Sequence, residues 1–218
     1  MREIIYGTEN AGKLAYMERA LEGTLIRVTG AKVAADKRGL VLPTIGESGN
    51  TPLENARLKA ESYFRLFKSP VFSCDSGLYL WDHDTGAPLP EKEQPGIHVR
   101  RRGSHRLSDD ELLEHYIDMV KRYGPIRARY KNAICLIWNE NVREESMEEG
   151  LWGEAFLLTD IPHRKRVAGF PLDSISLDMK TGRYFYDMKT NLQDNIVSNN
   201  GFIKNFFCSF LEKNNIIC

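Results

Sequence analysis

The sequence predicts an α/β fold, and three stretches predict it. Glu3-Ile4-Ile5-Tyr6-Gly7-Thr8 reads as a buried strand that runs into a polar loop, Glu9-Asn10-Ala11-Gly12-Lys13, and then into an amphipathic helix. Thr51-Pro52-Leu53-Glu54 opens a second helix, which leads into the apolar strand Val71-Phe72-Ser73-Cys74. Ser108-Asp109-Asp110-Glu111 opens a third, followed by the most apolar run of the chain, Ala133-Ile134-Cys135-Leu136-Ile137-Trp138. Helices alternating with buried strands in this way cover a sheet.

Bulk properties narrow the class. The 218 residues suit one domain or two intimate lobes. Lys plus Arg and Asp plus Glu number 30 each, so no basic excess marks the chain as a nucleic-acid binder, while a small anionic ligand stays open. A hydrophobic content of 42% is ample for a core. No run approaches the ~18 apolar residues of a membrane span. The start, Met1-Arg2-Glu3-Ile4-Ile5-Tyr6, turns polar too quickly for a signal peptide. Cys74, Cys135, Cys208 and Cys218 lack paired metal spacing, and most read as buried thiols of a reducing cytoplasm.

The elements follow in order. The first helix places Leu14, Met17, Ala20 and Leu21 on one side. Its amino end, with Lys13, is a place where backbone N–H groups meet an anion, although the loop lacks the Walker pattern and also reads as an ordinary strand-to-helix turn. Leu25 to Thr29 reads as a second strand. Residues 30–50 read as a loop with one short strand at Leu40-Val41-Leu42, and Glu47 sits near the loop's end. Thr51 caps the next helix, Pro52 suits its first turn and Glu54 completes a capping box. That helix runs to Phe67 with Leu53, Ala56, Ala60, Phe64 and Phe67 inward. Asn55 and Lys59, four apart, share a face that is either solvent or a pair of donors for a phosphate chain.

The next strand is expected to stop at Asp75-Ser76-Gly77 and so to deliver a carboxylate to a sheet edge, with Gly77 permitting a tight turn or a close approach. Leu78 to Trp81 continues extended. Residues 82–107 form a long loop ending in a basic stretch, His98 to Arg106. The Ser108 helix reaches Arg122 and stops at Gly124-Pro125. Ala128 to Trp138 and Arg143 to Thr159 read as a series of strands, with Gly150 and Gly153 at turns or bulges. Gly169 to Asp173 is a loop, and Ser174–Leu177 and Arg183–Tyr186 read as short strands. Ser198-Asn199-Asn200-Gly201 breaks the chain before a last helix, Phe202 to Leu211, whose aromatic stripe reads as core.

Four stretches, taken together, resemble the inosine/xanthosine triphosphate pyrophosphatases, the house-cleaning nucleotide hydrolases. They are Thr8 to Lys13, Glu47 with Glu54 to Ala60, Cys74-Asp75-Ser76-Gly77-Leu78, and Pro95-Gly96-Ile97-His98-Val99-Arg100. The match is dense over residues 1–106 and thin beyond. The resemblance implies one domain over residues 1–218, built as an elongated mixed β-sheet with flanking helices and two lobes enclosing a nucleotide cleft. It implies a homodimer and Mg²⁺-dependent cleavage of a nucleoside triphosphate to the monophosphate and pyrophosphate. Thr8, Asn10 and Lys13 would hold the triphosphate, Lys59 would meet a phosphate, and Ser76 would contact the nucleotide. Glu47 and Asp75 would bind the metal, with Asp75 also accepting the proton of the attacking water. Phe170 and Asp173 would meet the base end. The chemistry is coherent, because phosphoryl-type cleavage rests on positioning and charge neutralisation, and a hard cation takes carboxylate oxygens.

The departures lie at the base end. The family pattern Gly-Phe-Gly-aromatic-Asp is here Gly169-Phe170-Pro171-Leu172-Asp173. Its late lysine and Ser-His-Arg-Gly correspond to Asp194 and Ser198-Asn199-Asn200-Gly201, without the cationic donors. Ser104-His105-Arg106 has a similar composition at a different place in the chain, and Arg100, Arg101 or Arg102 would be alternative sources of those donors. Two further readings therefore stand beside the enzyme: a nucleotide-binding sensor of the same fold with little turnover, and a pyrophosphatase with another base preference. A thiol hydrolase using Cys74 and His98 is poor, since Cys74 sits in an apolar strand with no activator.

Overall fold

The computed structural model describes residues 1–188 and 200–216. The strands are β1 (Arg2–Tyr6), β2 (Ile26–Gly30), β3 (Val71–Asp82), β4 (Arg101–Arg102), β5 (His105–Arg106), β6 (Ile126–Ile137), β7 (Arg143–Ser146), β8 (Phe156–Leu158) and β9 (Ser176–Asp178). The helices are α1 (Ala11–Ala20), α2 (Ala31–Arg38), α3 (Pro52–Phe67), α4 (Asp109–Tyr123) and α5 (Asn200–Lys213). Seven strands form one mixed sheet in the order β2-β1-β3-β6-β8-β9, with β7 also on β6. β1 pairs parallel with β2 and β3, while β6, β7, β8 and β9 pair antiparallel. The fold is thus α/β with a mixed sheet.

The chain divides into two compact units. The first takes Met1–Ser76, Lys131–Trp152 and the carboxy-terminal helix. Its core joins Ile4, Tyr6 and Phe72 to Phe207 and Phe210 of α5, and the Phe72 ring meets Phe207 edge-on at 5.0 Å. The second takes Gly77–Tyr130 and residues 153–188. There α4 buries Leu112, Leu113, Tyr116, Met119 and Val120 against Leu78, Leu80, Ile126 and Leu158.

Local signals set the helix ends. Thr51 accepts the Glu54 N–H, and Ser108 and Glu111 form a complete capping box. Such caps contribute about 1 kcal/mol each. Elsewhere tertiary context overrides composition. Residues 30–50 contain α2, because Ala31, Ala34 and Ala35 make a small apolar face that packs on Ile5, Tyr63, Phe67 and Val71. Leu40-Val41-Leu42 forms no strand, and Val41 is exposed. β3 does not end at Asp75 but runs on to Asp82. Gly77 serves the close approach rather than a turn: a Cβ there would lie 3.0 Å from the Gly96 carbonyl, whose oxygen accepts the Leu78 N–H at 2.8 Å. The long loop after β3 carries the two-residue hairpin β4–β5. Between Arg143 and Thr159 only β7 and β8 are strands, and Gly150 lies in a 3₁₀ turn between them. Arg183–Tyr186 makes one bridge, Leu177 to Tyr184, then a 3₁₀ turn. α5 begins at Asn200, two residues before the expected start.

Candidate functional site

The site residues of the first unit gather where β1 stops. β1 pairs with β3 only as far as Tyr6 opposite Phe72, and β3 continues past it. Asp75 therefore lies just beyond the carboxyl end of β1, where α/β sheets place ligands. The strand end that matters is that of β1.

The loop after β1 is built by its own side chains. Thr8 Oγ1 accepts the Asn10 N–H at 3.2 Å, and Asn10 Oδ1 accepts the Lys13 N–H at 3.0 Å, so Asn10 is the cap of α1. Both oxygens are committed to the loop, and what these residues offer a ligand is the Thr8 hydroxyl proton and the Asn10 NH₂. Thr8, Asn10, Lys13, Glu47 and Lys59 line one cavity of about 590 Å³, with Tyr63 and Cys74 in its wall.

Lys59 is the centre of charge. From the fourth residue after Asn55 on α3, its Nζ lies 2.6 Å from Glu47 Oε1 and 2.9 Å from Asp75 Oδ1. Burial by itself would lower the Lys59 ammonium, but the hydrogen bonds and charges of Glu47 and Asp75 outweigh it and hold it above its ordinary value. Asp75 is buried. Asn55 does not share this role: it is buried and accepts the Gly49 N–H at 2.9 Å, which pins the loop carrying Glu47. Ser76 Oγ donates to Asn132 Oδ1 at 2.7 Å, and Asn132 Nδ2 donates to the Leu151 carbonyl at 2.7 Å. Sequence reasoning missed Asn132. Its one signal was the polar run Arg129 to Asn132 inside a strand that otherwise reads apolar. Burial pushes the Cys74 thiol up to about 11, which disarms it as a nucleophile at neutral pH.

Among the described residues no group of three or more His, Cys, Asp or Glu side chains forms a ready-made metal cage. Magnesium does not need one, since it is held by one or two carboxylates together with substrate phosphates and water. Glu47 and Asp75, whose oxygens converge on one nitrogen, fit that donor set.

In the second unit Phe170 is 58% exposed. Pro171 opens a 3₁₀ turn, Pro171–Ile175, and Asp173 within it is partly buried. Burial pushes the Asp173 carboxyl up to about 6. A larger cavity of this unit, about 900 Å³, is lined by several basic side chains, of which Arg122 lies 3.3 Å from Glu93 and His105 Nε2 3.3 Å from Glu111. Asp194, Ser198 and Asn199 lie outside the described residues, as does the Asn200 side chain.

A sequence profile described as the Ham1 family matches residues 4–196. A dITP/XTP pyrophosphatase of Treponema denticola is 31% identical over 158 residues, 71% of this chain and 74% of the relative. One from Malacoplasma penetrans is 28% identical over 169 residues, 77% and 78% of the two chains. The solved structure of a HAM1 protein from Coxiella burnetii shares the fold with a TM-score of 0.69 at 21% identity, over 98% of this chain and 100% of that one. The Staphylococcus aureus Ham1 protein does so with a TM-score of 0.68 at 21% identity, over 98% and 100%. With the profile spanning most of its length and its relatives at low identity, the chain belongs to the Ham1 family as a divergent member.

Proposed function

We propose that this chain is a Mg²⁺-dependent nucleoside triphosphate pyrophosphatase that clears non-standard purine nucleotides from the cytoplasmic pool and works as a homodimer. Its membership of the Ham1 family, and relatives named dITP/XTP pyrophosphatases, support hydrolysis of a nucleoside triphosphate. The observation that carries the reading is the convergence of Glu47 and Asp75 on Lys59 beside the capped start of α1.

In this reading the amino end of α1, with its helix dipole and Lys13, receives the phosphate chain. Lys59 offsets charge that grows on the phosphoryl oxygens in the transition state. A water oxygen bonds to the α-phosphorus, the α–β bridge breaks, and the pyrophosphate leaves with the bridging oxygen. Asp75 accepts the proton of that water as the general base. Magnesium, held by Glu47 and Asp75, would supply charge neutralisation and orient the phosphates. Ser76, fixed by Asn132, contacts the nucleotide, and Phe170 and Asp173 meet the base. Pro171 and Leu172, at the places of a family glycine and aromatic, favour an altered base preference.

The test is product analysis by phosphorus NMR with inosine triphosphate. The expected products are the monophosphate and pyrophosphate, with no turnover in EDTA. Nucleoside diphosphate and orthophosphate as main products, or an undiminished rate in EDTA, would refute the reading.

A further inference from the structure

Within the second unit, Arg100, Asp109 and Gly169 close into a ring. Arg100 Nη1 donates to Asp109 Oδ1 at 2.7 Å, and Nη2 donates to the Gly169 carbonyl at 2.8 Å. The Gly169 N–H donates to Asp109 Oδ2 at 2.6 Å. Each of the three partners is therefore held twice, through charge-assisted bonds of the stronger kind. The Gly169 hydrogen bond first, and then Arg100, hold the Asp109 carboxyl below the usual carboxylate range. Gly169 sits at φ +84°, where a side chain is strained.

The ring ends at the residue before Phe170. The Phe170 N–H donates to the Val167 carbonyl at 3.0 Å, and its own carbonyl accepts the Tyr186 hydroxyl at 3.3 Å. The backbone is thus gripped on both sides while the ring stays 58% exposed. An apolar ring on a loosely held loop gains by folding onto the nearest core. Here the local hydrogen bonds all act on the backbone and keep the ring presented.

We infer that Arg100 and Asp109 are positioning residues whose ring with Gly169 fixes Phe170 as a stacking platform for the base of the nucleotide. The inference rests on the proposed reading of Phe170 as a base contact. It also gives Arg100 a job other than replacing the family's missing base donors, since both terminal nitrogens are engaged. Stacking of a base on an aromatic ring is sequence-tolerant, so the platform serves any base and leaves selectivity to other groups.

Two measurements on Asp109→Asn and Arg100→Gln test it, with Arg100→Lys as the conservative variant. The first compares KM and kcat for inosine triphosphate with the inhibition constant of inorganic tripolyphosphate, which has no base. Loss of stacking should raise KM roughly 5- to 50-fold with little change in kcat, while tripolyphosphate inhibition stays within about 2-fold. Arg100→Lys should fall between wild type and Arg100→Gln, because an ammonium cannot bridge both partners. An unchanged KM, or a parallel weakening of tripolyphosphate, would overturn the inference. The second reads hydrogen exchange at the Gly169 amide by NMR, which needs no turnover. Faster exchange in both variants is expected, and unchanged protection would overturn the ring itself. Absence of turnover in the wild type would instead count against the proposed function, so the two failures are separate.

Discussion

In the first unit the charged candidate side chains hold one another, from exposed Glu47 through half-buried Lys59 to buried Asp75, whereas in the second the Phe170 ring is exposed and only its backbone is held. Lys59, Glu47 and Asp75 are joined at 2.6 and 2.9 Å, and Asn55 and Asn132 fasten the pieces around them. Each group there has a charged or polar partner that would be left unsatisfied by its replacement. Phe170 has no such partner for its side chain, and Pro171 and Leu172 follow it. The contrast is one of how each part is held: the proposed phosphate end is locked by mutual neutralisation of its side chains, and the proposed base contact is held through the backbone of a loop.

The largest expected effect tests the locked part. Asp75→Asn should lower kcat by ~10²-fold or more while thermal unfolding stays cooperative, because the amide keeps the shape and loses the base. Near-normal pyrophosphate release by a folded variant would break the comparison at its stronger side.

The discriminating part should show a weak preference. Comparing kcat/KM for inosine, xanthosine, guanosine and deoxyadenosine triphosphates, we expect the non-standard purines to be favoured by a modest factor. Asparagine both donates and accepts, so it cannot demand a keto oxygen as a cation does. A preference beyond ~10³-fold, about 4 kcal/mol of discrimination, would show that the loop unit discriminates as strictly as the locked unit catalyses.

The smallest effect concerns Asp173. Burial raises its carboxyl from 3.8 to about 6 in the folded chain. The folded state therefore favours the protonated form: its contribution is full below the unfolded value and is lost as pH rises through about 6. The difference corresponds to at most about 3 kcal/mol. Asp173→Asn should raise the urea-unfolding free energy at pH 7.5, and the gain should vanish near pH 4. An equal gain at both pH values would show that burial of charge is not what strains this loop.

What the sequence made legible was local. The caps at Thr51 and Ser108 follow from spacing alone, as does the burial of Ala56, Ala60 and Phe67 on α3, while Leu53 and Phe64 are only half-buried and Tyr63 is buried in their place. The α2 helix did not, because an alanine stripe carries almost no hydrophobic contrast although it packs closely. Asp75-Ser76-Gly77 has the composition of a turn, and pairing along the sheet kept it extended. Asn55 and Asn132 were illegible because their partners, Gly49 and Ser76, are set by tertiary packing. That Glu47, Lys59 and Asp75 belong together came from family resemblance, not from their spacing.

The edge-on contact of Phe207 with Phe72 has a consequence for synthesis. Phe72 lies three residues before Asp75, and α5 supplies the floor beneath it from the far end of the chain. The first unit is assembled from three separate lengths of sequence. Chains emerge from the ribosome amino end first, so β3 is made before the helix that covers Phe72, and this face of the first unit closes only once α5 has followed.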